Sequence, residues 1–367
     1  MKFKAYNKMY HAYRGKSRRA LFPRVLAVIG GAVLLLLAAA WLLFRQELAI
    51  TRTIQRLDAS SPAWFMEVKG DYHFEEFLDR GGASSDGEVS AFLSRKISKG
   101  FYTAPAEGHG TGCSVLSRQD AQGDHLWGRN YDWTGSVPII VRHIPKEGYA
   151  SLSTCDFQNV TGSAETLPEG MINEMLAIAA LYVPLDGVNA AGLCVADLEV
   201  NEGGMPDPDT EKPDLTITTA IRLLLDRAAT VDEALALLAQ YDVHPSGGIS
   251  HHLAISDAAG KSVAVEFTAD GFQAVDTPVV TNFNLANGDT AAGGENAKER
   301  YDRLMGSLLS STAPSLKDVE NSMSHVAQTD GTWPTQWSMV NNPDGPFVTW
   351  YFKGNFTNGV TLCILPG

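Results

Sequence analysis

Hydrophobic residues form one long run near the N-terminus and much shorter patterns after it. Residues 25–44 are apolar and uncharged, and they include consecutive leucines at 34–37. A helix that rises about 1.5 Å per residue spans roughly 30 Å over this run, which is enough to cross the hydrocarbon core of a bilayer. The pattern therefore predicts a transmembrane helix over residues 25–44.

The segment before this run is strongly basic. Residues 1–24 contain eight Lys or Arg residues and no acidic residue. Because basic flanks stay on the cytoplasmic side, we expect a single-pass arrangement with a cytoplasmic N-terminus and an extracytoplasmic remainder. A cleaved signal peptide is the alternative, and the small residues at 38–40 would suit it. The apolar run, however, exceeds the usual 7–15 residues of a signal core.

Residues 45–112, which we call the lead-in segment, carry mixed patterns. They predict a short helix over 48–57, a strand over 65–77 and a helix over 88–97. The stretch PAEGHGTG at 105–112 is a loop by composition, and such a loop is flexible enough to be presented for cleavage. We expect this segment to pack on the part of the chain that follows.

From residue 113 onward, strand patterns dominate, interrupted by pairs of helices. The predicted strands are 113–117, 125–130, 139–143, 150–156, 192–200, 252–257, 262–268, 272–276, 337–341, 347–352 and 360–365. The predicted helices are 172–181, 215–228, 231–241, 295–310 and 316–327. This order predicts an α+β fold over residues 113–367, in which helices cover two antiparallel sheets.

Charge separates the N-terminal end from the rest. The chain has 29 basic and 42 acidic residues and a formal net charge of −13. Nine of the basic residues and none of the acidic ones lie in residues 1–45, which leaves a net charge of −22 on the remainder. Nucleic acid and anionic lipid surfaces repel such an acidic domain, so we expect no nucleic-acid partner and no membrane contact beyond residues 25–44.

Four cysteines are present, at positions 113, 155, 194 and 363. Outside the membrane, an even number could form two disulfides. Cys194 and Cys363 lie in apolar runs, and we expect both to be small buried hydrophobic residues. The adjacent residues His251 and His252 would point to opposite faces of a strand, and no clustered ligand motif occurs, so we expect no metal and no cofactor.

Cys113 differs from the other cysteines in its neighbours. It follows Gly112 and precedes the run GRNYDW at 128–133. Its thiol could supply a nucleophile, Arg129 could hold it as thiolate, and Asp132 could orient an amine. If the chain were cut before Cys113, the new α-amine, with a reference pKa of about 7.7–8.0, could act as a general base. The alternative is a buried or disulfide-bonded cysteine, with Arg129 and Asp132 as a structural ion pair.

Further motifs follow in order along the chain. They are GVNAAGL at 187–193, VTN at 280–282, RY at 300–301 and TQWS at 335–338. With Cys113 and GRNYDW, they make residues 113–367 resemble the choloylglycine hydrolase and penicillin V acylase family of N-terminal-nucleophile hydrolases. That family is related to N-acylethanolamine amidase and acid ceramidase. The resemblance implies an αββα sandwich and hydrolysis of a linear, non-peptide C–N amide bond.

The resemblance also implies roles for five residues. Cys113 would be the nucleophile and, through its freed amine, the base. Arg129 would lie near the thiol, and Asp132 would hold the α-amine. Asn282 would help to form the oxyanion hole, and Arg300 would support the site. From the residues alone, Asn282 could instead be a turn residue and Arg300 an exposed helix charge.

One position departs from the family pattern. The strand at 192–200 carries Glu199 where bile-salt hydrolases have an Asn and penicillin acylases a Tyr, both near the oxyanion. A carboxylate beside a developing oxyanion is unfavourable unless it is protonated or turned away. Either the matching position is Asn201 or the substrate preference differs, so both residues are weak candidates for the substrate or oxyanion site.

Together, these observations predict a membrane-anchored, extracytoplasmic amidase that acts on a small-molecule N-acyl amide through a thioester on Cys113. Autoproteolysis between Gly112 and Cys113 would activate it and would also cut the covalent link to the membrane helix. We expect the lead-in segment to stay bound, because it has apolar side chains to bury at Phe65, Phe74, Phe77, Phe92 and Leu93. The alternatives are an acyltransferase on the same scaffold and a catalytically inactive, tethered binding domain.

Overall fold

A computed structural model describes residues 2–58, 61–100, 112–200, 204–286, 294–311, 313–342 and 345–365, with the side chains of all of these except 2–22, 294 and 295. The predicted loop up to residue 111 and the candidate Asn201 therefore lie outside the described residues. The chain divides into two compact units, residues 1–49 and 50–367.

The first unit is one long helix. Helix α1 spans Lys2–Thr51, and its last two residues belong to the second unit. Within it, Pro23–Thr51 has a mean hydropathy of 2.6 over an 18-residue window, and none of that window is buried. The prediction of a helix over 25–44 is confirmed, and the helix extends further in both directions. By length and composition it suits a membrane span, and a signal sequence near the N-terminus would meet the same criterion.

The second unit contains two groups of strands and the remaining helices. Its strands are β1 (Gln55–Arg56), β2 (Trp64–Lys69), β3 (Gly112–Gln119), β4 (His125–Asp132), β5 (Pro138–Ile144), β6 (Ser151–Asp156), β7 (Asp186–Asn189), β8 (Cys194–Val200), β9 (Asp214–Thr216), β10 (Asp242–His244), β11 (Ser250–Ser256), β12 (Ser262–Thr268), β13 (Gly271–Asp276), β14 (Val279–Val280), β15 (Thr335–Asn342), β16 (Phe347–Phe352) and β17 (Asn355–Cys363). Its helices are α2 (Phe74–Asp79), α3 (Asp86–Ile97), α4 (Gln158–Thr161), α5 (Met171–Ala177), α6 (Ile217–Arg227), α7 (Val231–Leu238), α8 (Gly294–Leu308) and α9 (Leu316–Val326), and a 3-10 helix follows α5 at Ile178–Tyr182.

The strands form two large sheets. The nine-stranded sheet has the order β1-β2-β5-β6-β7-β8-β11-β12-β13, and the six-stranded sheet has the order β14-β3-β4-β15-β16-β17. Neighbours in both sheets are antiparallel except β2 and β5, which are parallel. The two predicted antiparallel sheets are present, with this parallel pair as an exception. Because α2, α3 and the β3–β4 hairpin intervene in the chain, the connection crosses over and brings β5 back in the direction of β2.

The two sheets stack face to face, with helices on both outer surfaces. Alternate residues of β3 show the arrangement, because Cys113 and Val115 face the core between the sheets, whereas Leu116 belongs to the core beneath α8 and α9. Helices α2, α3, α6 and α7 and the 3-10 helix cover the nine-stranded sheet. The predicted α+β fold, an αββα sandwich, is confirmed.

The lead-in segment joins the nine-stranded sheet through β2. This strand pairs with β5 along its whole length, from Trp64 opposite Ile139 to Lys69 opposite Ile144. Helices α2 and α3 then pack aromatic rings around Tyr182. The ring centroids of Phe74, Phe77 and Phe92 lie 5.4, 5.7 and 6.1 Å, respectively, from the ring centroid of Tyr182. Residues of the lead-in segment are thus part of the same hydrophobic core as the strands after residue 113.

Local predictions in this segment are partly confirmed. The helix predicted over 88–97 is α3. The strand predicted over 65–77 is right as far as Lys69 and wrong beyond it, because the backbone at Tyr72 and His73 adopts φ angles of 38° and 66° and helix α2 follows. Two residues in a left-handed conformation cannot continue a strand.

Elsewhere the predicted elements are present, with their ends shifted by a few residues. The helix predicted over 48–57 is the exception, since it ends at Thr51 and gives way to β1. The short strands β7, β9, β10 and β14 were not predicted, because two to four residues are too few to show a period.

Candidate active site

Cys113 is the second residue of β3, and it lies where the sheet edge is incomplete. The two-residue edge strand β14 pairs with Leu116 and Val115 and ends before it reaches Cys113. On the opposite side, Cys113 faces Tyr131 of β4. The Cys113 side chain is fully buried between the two sheets. The residues that follow β14 therefore come next to Cys113 on its other side.

Arg129 reaches the Cys113 sulfur from the neighbouring strand. Its Nη2 lies 3.4 Å from Cys113 Sγ and also donates to the backbone oxygen of Asp197 at 2.8 Å. Its Nη1 forms an ion pair with Asp186, and both side chains of that pair are fully buried. The guanidinium also lies over the Tyr131 ring, 5.1 Å from its centroid. A thiolate beside this cation would be stabilised.

The charge of Arg129 is fixed by its surroundings. Burial disfavours the charged form, but Asp186, Cys113 and Asp197 outweigh it and raise the pKa of Arg129. Trp337 Nε1 donates to the same carboxylate oxygen of Asp186 at 2.8 Å, which holds that carboxylate in place. Arg129 therefore stays protonated and points at the sulfur.

Asn282 lies beside the backbone nitrogen of Cys113. Its Oδ1 accepts from that nitrogen at 2.9 Å and from Arg300 Nη2 at 2.8 Å. Its Nδ2 donates to the backbone oxygen of Glu199 at 2.9 Å. The amide nitrogen that an oxyanion hole would need is therefore engaged in the uncleaved chain, while the amide oxygen faces the atom that would become the α-amine.

Arg300 is buried, so its interpretation as an exposed helix charge is wrong. Only 6% of its surface is exposed. Its Nη1 donates to the backbone oxygen of Cys113, and its Nε donates to Asn296 Oδ1 at 2.8 Å. Burial lowers the pKa of Arg300, while the nearby carboxylate of Asp132 opposes this shift. The guanidinium thus links helix α8 to both the backbone of Cys113 and the side chain of Asn282.

Asp132 lies opposite Gly112, one residue before Cys113. Its carboxylate accepts from Thr335 Oγ1 at 2.6 Å and from Gln328 Nε2 at 2.7 Å, and it lies 3.9 Å from Arg300 Nη1. Burial raises the pKa of Asp132, although Arg300 and these hydrogen bonds partly offset it.

The alternative of a structural ion pair between Arg129 and Asp132 fails on geometry. The buried carboxylate that pairs with Arg129 belongs to Asp186. The structure therefore brings Cys113 together with Arg129, Asn282 and Arg300, and it places Asp132 beside the peptide bond that precedes Cys113.

Glu199 borders a cleft of about 400 Å³. Its backbone oxygen binds Asn282, so the cleft lies two hydrogen bonds from the Cys113 nitrogen. The other residues that line this cleft, which we call the Glu199 cleft, are Val200, Gly204, Met205, Pro245, Gly248, Ile249 and Ser250. Glu199 and several apolar residues therefore line this cleft, and a smaller cleft of about 180 Å³ on another side of the site is lined by Arg300 and Gln328.

His251 was not predicted as a site residue, yet it joins two parts of this region. Its Nδ1 lies 2.9 Å from Asp197 Oδ1, and its Nε2 lies 2.7 Å from the backbone oxygen of Ser246. Burial disfavours the charged imidazole, but Asp197 and Ser246 outweigh it and raise the pKa of His251. The neighbouring His252 is fully buried, and burial lowers its pKa to about 4. Within the described residues, no cluster of side chains suits a metal ion.

The remaining cysteines form no disulfide. All four cysteines are free; Cys155 and Cys194 are buried, and Cys363 is partly exposed. The expectation of a buried residue is confirmed for Cys194 and wrong for Cys363, whose strand β17 lies at the edge of the smaller sheet. Burial raises the pKa of Cys194, which makes it unreactive at neutral pH.

Residues 113–284 match the family described as linear amide C–N hydrolases, choloylglycine hydrolase family. With the αββα sandwich, this match makes the chain a hydrolase that acts on carbon–nitrogen bonds in linear amides. Over this segment, the chain is similar to the choloylglycine hydrolase family. No curated protein matches it.

Solved structures support the fold. Two variants of the conjugated bile acid hydrolase from Clostridium perfringens give TM-scores of 0.51 and 0.52 at 17% identity, covering 68% and 69% of this chain and 92% of each of theirs. Penicillin V acylase from Agrobacterium tumefaciens gives a TM-score of 0.47 at 19% identity, covering 65% of this chain and 83% of its own. At such identity the first two comparisons establish a shared fold.

Proposed function

We propose that the chain is a cysteine amidase of the N-terminal-nucleophile type, with Cys113 as the nucleophile. The observation that carries this proposal is that both reactive atoms of Cys113 have suitable partners. Its sulfur lies 3.4 Å from Arg129 Nη2, and its nitrogen donates to Asn282 at 2.9 Å. A guanidinium beside a thiol favours the thiolate, and an acceptor at the nitrogen would orient the α-amine after cleavage.

The first step of this proposal is self-cleavage before Cys113. The Cys113 sulfur attacks the carbonyl carbon of Gly112, the C–N bond between the two residues breaks, and the nitrogen takes up a proton. Water then hydrolyses the thioester, which leaves a carboxylate on Gly112 and an α-amine on Cys113. A Cβ at Gly112 would lie 3.4 Å from Asp132 Cβ and 3.9 Å from Asp132 Oδ2, so the Asp132 carboxylate lies close to the residue that leaves.

The second step is turnover of an amide substrate. The α-amine accepts the thiol proton, the thiolate attacks the substrate carbonyl carbon, and a tetrahedral oxyanion forms. One preorganised donor to such an oxyanion contributes about 2.7–4 kcal/mol in other enzymes. Asn282 can provide this donor once its Nδ2 leaves the Glu199 carbonyl. The α-ammonium then protonates the leaving amine, and water releases the acyl group from the thioester.

The proposed substrate is a small N-acyl amide. Residues 113–284 match a family of linear amide C–N hydrolases, and the solved structures that share the fold include a conjugated bile acid hydrolase. Glu199 and Asn201 remain candidates for substrate contacts. The Glu199 cleft supports a role for Glu199, since this residue borders that space.

We also propose that α1 anchors the chain in a membrane, with residues 1–24 in the cytoplasm and the catalytic part outside. The excess of basic residues before the apolar run supports this orientation. Residues 45–112 would then act as a pro-segment that remains packed on residues 113–367 after cleavage.

Substitution of the thiol tests the proposed nucleophile. In Cys113→Ala and Cys113→Ser, we expect the uncleaved chain and at least a thousandfold loss of turnover on N-acyl amides, because no thioester can form. Cys363→Ala removes a free, partly exposed thiol outside the site and should behave as the parent chain does. Full turnover in the Cys113→Ala variant would exclude this mechanism.

A further inference from the structure

The wall of the Glu199 cleft includes a loop that is flexible by composition. Residues 245–249 connect β10 to β11, and Pro245, Gly248 and Ile249 line the cleft. Gly247 and Gly248 adopt φ angles of 65° and 69°, a left-handed conformation that glycine reaches readily and other residues rarely do. Because glycines have the most conformational freedom to lose, such a loop keeps one shape only where other groups hold it.

The groups that hold this loop come from the lead-in segment. Asp86 Oδ2 accepts from the backbone nitrogen of Gly247 at 2.7 Å, and Asp86 Oδ1 accepts from Ser246 Oγ at 3.1 Å. Both carboxylate oxygens are thus bound to consecutive residues of the loop. A charged acceptor makes such hydrogen bonds stronger than those between neutral groups.

Asp86 is itself on a rigid support. It is the first residue of helix α3, which begins after the N-cap Ser85. The helix buries four side chains in the core beneath the nine-stranded sheet, namely Val89, Phe92, Leu93 and Ile97. The contact therefore joins a well-packed helix to a loop that has few packed side chains of its own.

The same loop is connected to the thiol. The Ser246 backbone oxygen lies 2.7 Å from His251 Nε2, and His251 Nδ1 lies 2.9 Å from Asp197 Oδ1. The Asp197 backbone oxygen accepts from Arg129 Nη2 at 2.8 Å, and Arg129 lies against Cys113. Contiguous polar contacts thus run from the loop to the proposed nucleophile.

We propose that Asp86 is a positioning residue for the amide substrate, and that the lead-in segment is a working part of the cleft after cleavage. Asp86 fixes the loop at 245–249, and this loop forms the wall of the Glu199 cleft against which the substrate binds. This inference rests on the proposed amidase function and adds to it a role for a segment that lies outside the matched family region of 113–284.

Asp86→Asn in the full chain tests this proposal. The asparagine keeps the size but removes the charge and one acceptor atom. With the N-acyl amide that the parent chain hydrolyses fastest in a panel of fatty-acyl, bile-acyl and phenoxyacetyl amides, we expect KM to rise roughly tenfold with little change in kcat. Cleavage before Cys113 and its alkylation rate with iodoacetamide should stay at the parent level. Asp79→Asn, the same change at an exposed position of α2, is the matched control and should leave KM unchanged.

Ser246→Ala removes the other side of the same contact without altering the lead-in segment. The two residues share a hydrogen bond. The fold increase in KM of the double variant should therefore be smaller than the product of the fold increases caused by Asp86→Asn and Ser246→Ala alone. Fully multiplicative effects would contradict a shared role.

Hydrogen exchange gives a readout that does not depend on turnover. Amides in a peptide covering residues 245–250 should exchange at least several-fold faster in Asp86→Asn than in Asp79→Asn. Equal exchange and equal KM in these two variants would overturn the inference. Absence of thiol-dependent turnover across the whole panel in the parent chain would instead refute the amidase proposal, and the exchange result would still decide whether Asp86 holds the loop.

Discussion

A fully buried guanidinium faces the sulfur of Cys113, and the way it is held matters as much as its charge. Arg129 binds the Asp186 carboxylate with Nη1, while its Nη2 contacts the Asp197 carbonyl and the thiol. The planar, forked geometry of arginine allows these contacts at once, whereas lysine offers one point charge on a flexible stem. The residue type, and not only the positive charge, is therefore required here.

Arg129→Lys should retain the charge and lose this geometry. We expect the alkylation rate of Cys113 at neutral pH to fall about tenfold, because a cation that is no longer fixed beside the sulfur stabilises the thiolate less. The free energy of unfolding should fall by about 1–3 kcal/mol from the unsatisfied Asp186 and Asp197 groups. Rates measured with iodoacetamide and denaturant melts check both values.

Arg142→Lys provides a matched control for this prediction. Arg142 also combines an ion pair with a carboxylate, Glu67, and hydrogen bonds to a backbone oxygen, that of Cys363, but it lies outside the site. Its substitution should leave the alkylation rate unchanged. Equal rates in Arg129→Lys and the parent chain would remove Arg129 from the proposed mechanism.

At the level of individual residues, the motifs named side chains that lie together in the candidate site, and they missed the residues that hold those side chains in place. Cys113, Arg129, Asn282 and Arg300 were named from the sequence, and the structure brings them together. The sequence did not indicate Asp186, which holds Arg129, or Gln328, which holds Asp132. These supports contact their partners across 57 and 196 positions of the chain, and no local pattern records such contacts.

The β3–β4 hairpin is the element that carries the site, and helix α9 packs directly on it. Gly128 starts the GRNYDW run in β4, at a position where the helix comes close. A Cβ at Gly128 would lie 2.7 Å from Met323 Cγ and 2.9 Å from Val319 Cγ1, closer than real contacts allow. Glycine at this position therefore follows from the packing of α9 on the strand that also presents Arg129 and Asp132.

Gly128→Ala should push α9 away from β4. We expect the free energy of unfolding to fall by about 1–3 kcal/mol, the usual cost of overpacking, in a denaturant melt. Gly306→Ala adds the same methyl group inside helix α8 where nothing lies within 4 Å, and it should instead stabilise the chain by about 0.5–1 kcal/mol. Stability unchanged in Gly128→Ala would mean that α9 does not pack as described.

Helices and strands were predicted correctly from the sequence where the spacing of apolar residues repeats over enough positions to be recognised. Both strands of the β3–β4 hairpin were predicted, and so was α3, whose apolar residues recur at helical spacing. The parallel pairing of β2 with β5 was not predicted, since it depends on a crossover through two helices and a hairpin. The edge strand β14, which leads to Asn282, has only two residues.

For the whole molecule, the proposed cleavage divides one core between two chains. Strand β2 supplies an inner position of the nine-stranded sheet, with β1 on one side and β5 on the other. Side chains from α2 and α3 share the hydrophobic core with α6 and α7. Loss of residues 45–112 would expose this surface to water, so the two fragments should stay associated after the peptide bond is broken.

Membrane fractionation checks this retention. After cleavage, the 113–367 fragment should remain in the membrane fraction through a wash with 1 M salt and leave it only in denaturing urea, because burial of apolar surface and not surface charge holds it. The uncleaved Cys113→Ala chain should stay in the membrane fraction in urea as well. Release of the fragment by buffer alone, or its presence in the medium, would contradict retention.

Intact mass spectrometry of the purified parent chain, before and after treatment with a thiol-directed probe, reports both the cleavage site and the nucleophile. We expect a fragment whose mass corresponds to residues 113–367 and which gains one probe, on its N-terminal Cys113. A chain that stays uncleaved at Gly112–Cys113 while it hydrolyses N-acyl amides, or a probe found on another cysteine of an active fragment, would contradict it.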